Sequence, residues 1–256
     1  MIKYNLNNIN DWDYGDDNIK KVYHHNSVCY QKISKQAQRL PDGYTEVEYI
    51  ENTASVQNVQ STSFLSIAFA DSVTNNASAY TYTVAFESTE YPKKYNCLLG
   101  NHYIKLQPLG SNYKRIGAKF VKYEGDTANG GVVVGKKYET KIYWNEGESY
   151  PKIEVKDITA DTTTTTALNV SISLTNDSNK IGLFNLYNVN DTGAYTSKAK
   201  IYEVKIEDRQ GNLVAHGIPC VRTSDNKCGF YNLARDEFEY DESNLLTLVA
   251  GHEVQN

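Results

Sequence analysis

Lys200-Ile201-Tyr202-Glu203-Val204-Lys205-Ile206-Glu207 is the stretch that decides the fold class. Side chains alternate across an extended strand, so parity assigns Ile201, Glu203, Lys205 and Glu207 to one face and Tyr202, Val204 and Ile206 to the other. One face is apolar and the other largely charged, the pattern of a strand that covers a core and meets water. Working outward from it, strand signals recur. Ala79 to Phe86 puts Tyr80, Tyr82 and Val84 against Thr81 and Thr83. Tyr103 to Gln107, Arg115 to Val121, Tyr138 to Trp144, Lys152 to Lys156, Leu168 to Leu174, Lys180 to Leu186, Leu213 to Ile218 and Cys228 to Leu233 follow. Turn residues separate them at Gly110-Ser111-Asn112, Asn129-Gly130-Gly131 and Gln210-Gly211-Asn212. Short strands with polar turns predict a sandwich or barrel. No long segment carries a 3.6-residue apolar period, so few helices are expected.

Composition agrees. Among 256 residues there are 21 Tyr, 26 Asn and 20 Thr against one Met. Tyr and Thr favour strands and Asn favours turns. With 40% apolar and 22% charged residues the chain can build a core and is not wholly disordered. The net charge of −5, without a Lys/Arg cluster, argues against nucleic-acid binding. No apolar run is long enough for a membrane-spanning helix. Met1 to Asn8 lacks the apolar stretch of a secretory signal, so folding in a reducing cytoplasm is expected. Cys29, Cys97, Cys220 and Cys228 are then read as thiols, with a Cys220–Cys228 bridge left open.

The chain changes character near residue 34. Residues 1–33 hold Trp12, Tyr14, Tyr23 and Tyr30 and two strand-like runs, Lys20 to Tyr23 and Val28 to Gln31, joined by a turn at His24 to Ser27. This reads as a β-hairpin too small to stand alone, whose strand edges and four aromatics need something to dock on. Residues 34–43, ending in Pro41-Asp42-Gly43, are a linker. Residues 44–256 are the main domain.

Chemical motifs are weighed against plainer readings. Gly130 to Lys137 approximates a phosphate loop, but Lys137 stands where a Mg²⁺-binding hydroxyl is needed; a glycine turn entering a strand explains it. His24, His25 and Cys29 lack a fourth ligand, and adjacent strand residues point apart, so no metal site is expected. His102, His216 and His252 sit in no nucleophile motif. Carboxylate pairs such as Glu46/Glu48, Glu203/Glu207 and Glu146/Glu148 have the parity a glycosidase would need. They read instead as solvated faces. Asp161 followed by Thr162 to Thr166 is an exposed hairpin tip or edge, serving solubility or a partner. The better-placed aromatics for stacking on sugar rings are Tyr187 and Tyr195, with Asn188 beside them to fix hydroxyls.

The two ends of the main domain carry a resemblance. Leu40-Pro41-Asp42-Gly43-Tyr44-Thr45-Glu46-Val47-Glu48-Tyr49-Ile50-Glu51 opens it; Ala199 to Ile206, Ile218-Pro219-Cys220 and Gly229-Phe230-Tyr231-Asn232-Leu233 close it, with Lys180-Ile181-Gly182-Leu183-Phe184 before. Together they resemble the concanavalin A-like, laminin-G-like jelly-roll modules of tailed-bacteriophage virion proteins, and residues 1–33 resemble the attachment segments that precede such modules. The resemblance implies an all-β, two-sheet antiparallel jelly-roll sandwich in a non-enzymatic virion structural protein of fibre or decoration type. It implies no catalytic residue. It implies partners among other virion proteins, assembly in the host cytoplasm and a homo-oligomer such as a trimer. A lectin-like role in adhesion to host-surface glycan is one expectation; a glycoside hydrolase on bacterial surface polysaccharide and a purely architectural head, collar or tail component are alternatives. Some laminin-G-like domains bind Ca²⁺. Asp177 and Asp191 lie in candidate loops, but no Ca²⁺-loop pattern surrounds them, and no cofactor is expected.

Overall fold

The computed structural model describes residues 11–15, 18–24, 27–31, 39–54, 65–71, 79–90, 96–101, 104–109, 115–119, 129–131, 133–148, 150–167, 179–185 and 195–255. Its contacts separate a larger unit, Leu40–Val254, from the N-terminal residues. In the N-terminal unit β1 (Asp11–Gly15), β2 (Asn18–His24) and β3 (Ser27–Gln31) form an antiparallel sheet in the order β1-β2-β3. The expected hairpin is therefore a three-stranded sheet. The stretch holding Trp12 and Tyr14 forms the third strand, with Trp12 opposite Val22. A two-stranded ribbon is marginal, and a third strand satisfies one more row of backbone groups. The side chains of Trp12, Tyr14, Tyr23 and Tyr30 lie outside the described residues.

The larger unit is all-β, with no helix of four or more residues among the described residues and none long and apolar enough to cross a membrane. Its main sheet runs β15 (Thr162–Ala167), β14 (Lys152–Asp157), β13 (Lys137–Tyr143), β7 (Tyr80–Ser88), β18 (Ala199–Asp208), β19 (Leu213–Arg222), β20 (Lys227–Asn232) and β21 (Glu237–Tyr240). Off this path, β4 (Tyr44–Glu46) pairs with β19, and β5 (Ile50–Asn52) pairs with β18 and β22 (Leu248–Ala250). The second sheet runs β12 (Asn129–Gly131), β11 (Arg115–Lys119), β10 (Lys105–Leu109), β9 (Leu99–Gly100), β16 (Lys180–Leu183) and β6 (Ser66–Ala68). All pairings in both sheets are antiparallel; a separate parallel pair joins β8 (Asn96–Cys97) to β17 (Tyr195–Thr196). Asn129 to Gly131, expected as a turn, instead pairs with Arg115 and Ile116.

One core lies between the two sheets. Val84, Phe86, Ile142, Ile201 and Val204 from the first meet Ile67, Leu99, Leu106 and Ile181 from the second. The unit is a β-sandwich. Burying each such side chain contributes roughly 1.5–3 kcal/mol. The sheets approach closely at Gly217, where a Cβ would lie 2.7 Å from Ile67 Cδ1. A smaller cluster of Leu40, Ile218, Cys220 and Tyr231 covers the opposite face of β19 and β20.

The β18 pattern departs from simple parity. Pairing with β7 runs Ile201↔Phe86 and then Glu203↔Ala85, so Tyr202 is the extra residue of a β-bulge. The bulge re-phases the strand. Ile201 turns into the core with Val204 and Ile206, while Tyr202 and Glu203 both point outward. Outside, Tyr202 donates to Glu87 Oε2 at 2.8 Å and Lys200 Nζ to Glu87 Oε1 at 2.9 Å.

Register also settles the cysteine question. Val221 lies opposite Cys228 and Cys220 opposite Gly229, so the two cysteines project to opposite faces. They cannot be bridged across the sheet. Cys97, Cys220 and Cys228 are free thiols.

The second sheet ends at β6, whose outer polar groups are met by side chains from the first. Asn232 Nδ2 donates to the Ala68 carbonyl at 2.8 Å, and Ala68 N–H donates to Glu239 Oε1 at 3.3 Å.

Candidate functional site

Two hairpin turns rise at one end of the main sheet, on either side of the start of β7. The β13–β14 turn carries Trp144, Asn145 and Glu146; the β18–β19 turn carries Asp208, Arg209, Gln210 and Gly211. Between them lies an open cleft of about 600 Å³ floored by Ala79, Tyr80 and Thr81, with Lys141 and Glu207 on its sides. Register explains the meeting. β7 is the neighbour of both β13 and β18, so Thr81 opposite Glu207 and Tyr82 opposite Ile142 bring the two turns to the same end.

Each wall is fixed by its own hydrogen bonds. Asp208 Oδ1 accepts from Gln210 N at 2.9 Å and Asn212 N at 2.8 Å, and Oδ2 accepts from Asn212 Nδ2 at 2.9 Å. These bonds, led by the Asn212 side chain, hold the Asp208 carboxyl below the usual range. Gly211 closes the turn at φ +82°. In the other turn Asn145 Nδ2 and Lys152 Nζ donate to Glu148 Oε1 at 3.0 and 3.1 Å and lower its pKa. Gly147 there adopts φ +75°. Trp144 and Tyr80 are half-buried and rest on the sandwich core. Tyr80 meets Phe69 edge-on at 5.2 Å, which fixes the ring forming the floor.

The lining is therefore two anchored aromatic rings, two amides, three carboxylates and two cations. Such a cleft suits a polar ligand with flat apolar faces. It is too open and too polar for an apolar small molecule.

Of the residues singled out from sequence, Tyr187 and Asn188 lie outside the described residues, as do Asp177, Asp191, His25 and His102. Tyr195 is placed by its backbone alone, in β17 opposite Asn96, and its side chain is also outside them. The carboxylate pairs do not act as pairs. Glu46 is buried and Glu48 exposed. Glu203 binds His216 Nε2 at 2.7 Å and Lys205 Nζ at 2.6 Å; these contacts, His216 first, hold its carboxyl down at about 2. Glu207, near the end of β18, and Glu146, in the β13–β14 turn, instead line the cleft from separate elements. The glycine-rich stretch divides: Gly130 and Gly131 lie in β12, and the turn entering β13 is set by Gly135, which at φ +80° donates to the Ser88 carbonyl at 3.0 Å, with Lys136 paired to Asp157 at 3.2 Å. Among the described residues no three His, Cys, Asp or Glu side chains are grouped to hold a metal ion.

Sequence reasoning missed Trp144, Gln210 and Arg209. A signal was present: one of only two tryptophans stands where a strand runs into Asn-Glu-Gly.

No family model matches the sequence, and no curated protein matches it. Among solved structures, a "putative carbohydrate binding protein" from Bacteroides ovatus superposes at a TM-score of 0.49 with 11% identity, over 80% of this chain. The chain spans 60% of that protein's length. Scytalido-glutamic peptidase matches at 0.27 with 9% identity, over 73% of this chain and 98% of the peptidase. The Eqolisin-family peptidase SCP-B matches at 0.28 with 11% identity, over 81% and 100%.

Proposed function

We propose that the protein is a non-enzymatic glycan-binding module and that the cleft between the β13–β14 and β18–β19 turns is its site. The carrying observation is the pairing of anchored rings with hydrogen-bonding side chains in an open groove. Trp144 offers an apolar face to the C–H side of a pyranose ring. Asn145, Gln210 and Glu207 offer donors and acceptors for its hydroxyls. Lys141 and Arg209 against Glu146, Glu207 and Asp208 leave the lining net negative by one charge, which favours neutral over acidic sugar chains.

The resemblance at residues 40–51 and 199–233 supports reading the sandwich as a concanavalin A-like jelly roll displayed on a tailed-phage virion. On that reading residues 1–33 fasten it to other virion proteins through Trp12, Tyr14, Tyr23 and Tyr30, and it assists adsorption to a host surface glycan. Deleting residues 1–33 should leave the sandwich folded and abolish incorporation into particles; incorporation of the truncated chain would place the anchor elsewhere.

The site is tested by calorimetric titration of the full chain with host-surface polysaccharide fragments. Trp144→Ala should weaken binding at least about tenfold, the scale of losing one ring contact of about 1.5 kcal/mol. Unchanged affinity would move the site. A glycoside hydrolase is the second reading, because Glu146 and Glu207 share the cleft. Against it, Glu146 is exposed at a turn tip rather than enclosed in the water-excluded pocket that acid catalysis uses. Release of reducing ends by wild type, lost in Glu207→Gln, would favour the hydrolase.

A further inference from the structure

We propose that β15 is an interface strand, and that its occupant is β15 of a second copy of this chain, paired antiparallel about a two-fold axis at Thr164. Among the described strands β15 ends the main sheet, paired with β14. It runs six residues without a register shift. Thr162 to Thr165 and Ala167 are exposed. The strand contains no charge, no proline and no bulge, the devices by which a free edge is normally kept from pairing.

The other described ends of the two main sheet paths are protected. β21 is four residues long and alternates Glu237 and Glu239 with aromatics. β6 is three residues long and is met by Asn232 and Glu239. β12 is three residues, two of them glycine. Among the described sheet ends only β15 is long, straight, neutral and β-branched, which makes it a template for strand addition.

A second copy fits because the strand complements itself. With the axis at Thr164, Thr162 faces Thr166 of the second copy and Thr163 faces Thr165. Threonine pairs across strands are favourable, and no charge meets a like charge. Asp161, one residue before the strand, falls opposite Ala167 and already pairs with Lys156 at 3.0 Å. The neighbouring rows are complementary too. Thr163 lies beside Lys156 and Thr165 beside Glu154. The symmetric seam therefore sets the Lys156 side of one copy toward the Glu154 side of the other, twice. Such a contact is isologous and closes at two subunits, not three. The strand seam alone is smaller than a standard interface, so a weak, concentration-dependent dimer is expected.

Sedimentation velocity on the full chain over a concentration series reads this directly. Wild type should shift reversibly from the 28.9 kDa chain to twice that mass. Thr163→Lys/Thr165→Lys sets introduced lysines opposite one another in both halves of the seam, and should weaken dimerisation about tenfold. Thr163→Glu/Thr165→Glu should do the same. An equimolar mixture of the two variants should dimerise at least as well as wild type, because each lysine then meets a glutamate. Within one chain each variant gains one favourable and one unfavourable neighbour, Lys156 and Glu154, so both should melt close to wild type. A monomeric or trimeric wild type overturns the proposal. So do lysine and glutamate variants that dimerise like wild type, or a mixture that fails to recover.

Discussion

Asn232 is the side chain whose loss should cost this sandwich most for its size. It is fully buried, donates to the Ala68 carbonyl at 2.8 Å and accepts from His216 N–H at 3.0 Å. One amide thus serves backbone groups of both sheets. Asn232→Ala strands a buried carbonyl and a part-buried N–H. Each unsatisfied group costs about 1–3 kcal/mol, so a loss of about 3 kcal/mol is expected. For a domain of this size that lowers Tm by roughly 6–12 °C. Urea denaturation followed by tryptophan fluorescence, with an unchanged m-value, is the appropriate assay. Asn232→Asp separates the two contacts, since it keeps an acceptor for His216 and loses the donor to Ala68. It should be worse than alanine at pH 7, where it buries a charge, and should recover as the pH falls and the carboxyl takes up a proton able to reach the Ala68 carbonyl. A loss below about 1 kcal/mol for Asn232→Ala would refute the reasoning, because it would mean the two backbone groups find other partners.

Other outcomes follow from single contacts. Glu203, held at about 2 against an ordinary 4.5, contributes stability above pH 4.5 that is lost as pH falls toward 2. After discounting for solvent screening this is on the order of 1–2 kcal/mol, and Glu203→Gln should flatten acid titrations of stability over that window. Glu239 is shifted the other way, upward, chiefly by burial. Its contribution is present below its unfolded pKa and lost as pH rises through the folded value, so Glu239→Gln, which keeps the acceptor for Ala68 N–H, should be neutral or stabilising in pH 7 melts. Gly229→Ala would drive a methyl into the Glu239 carbonyl and to 2.9 Å from the Phe238 ring, and should cost more than about 3 kcal/mol or leave the protein insoluble. Burial pushes the Cys220 thiol up to about 12, so it should resist a thiol reagent at pH 8 until the chain unfolds, and oxidation should give no Cys220–Cys228 bridge by mass spectrometry.

Strand placement was legible because alternation is local. Val84 with Tyr82 and Phe86, or Ile142 with Tyr138, reads correctly from a few residues. The Tyr202 bulge was not, since one extra residue leaves no mark in composition and is fixed only by pairing with Ala85 and Phe86. The threonine run was legible as an edge or a tip, and the sheet order makes it an edge. The cleft was hidden for a different reason. Trp144 and Asp208 are brought together by β7 lying between their strands, and no short window of sequence records which strands are neighbours. Glu146 and Glu207 were both visible as carboxylates, but parity within one strand offered the wrong companions for each.

The two turns that wall the cleft have a consequence for how this protein diversifies. Each is a self-contained hydrogen-bonded loop, Asp208 with Asn212 in one and Asn145 with Glu148 in the other. Only Trp144, at the base of the β13–β14 turn, rests on the core. Loops of this kind can be lengthened, shortened or exchanged while the strands beneath keep their register. On the proposed reading, the ligand contacts fall mainly on turn residues and the fold on the strands, with Trp144 serving both. If the cleft binds as proposed, new turn sequences can be explored here while the Val84–Ile142–Val204 layer stays fixed, and a designer can graft at the same two points.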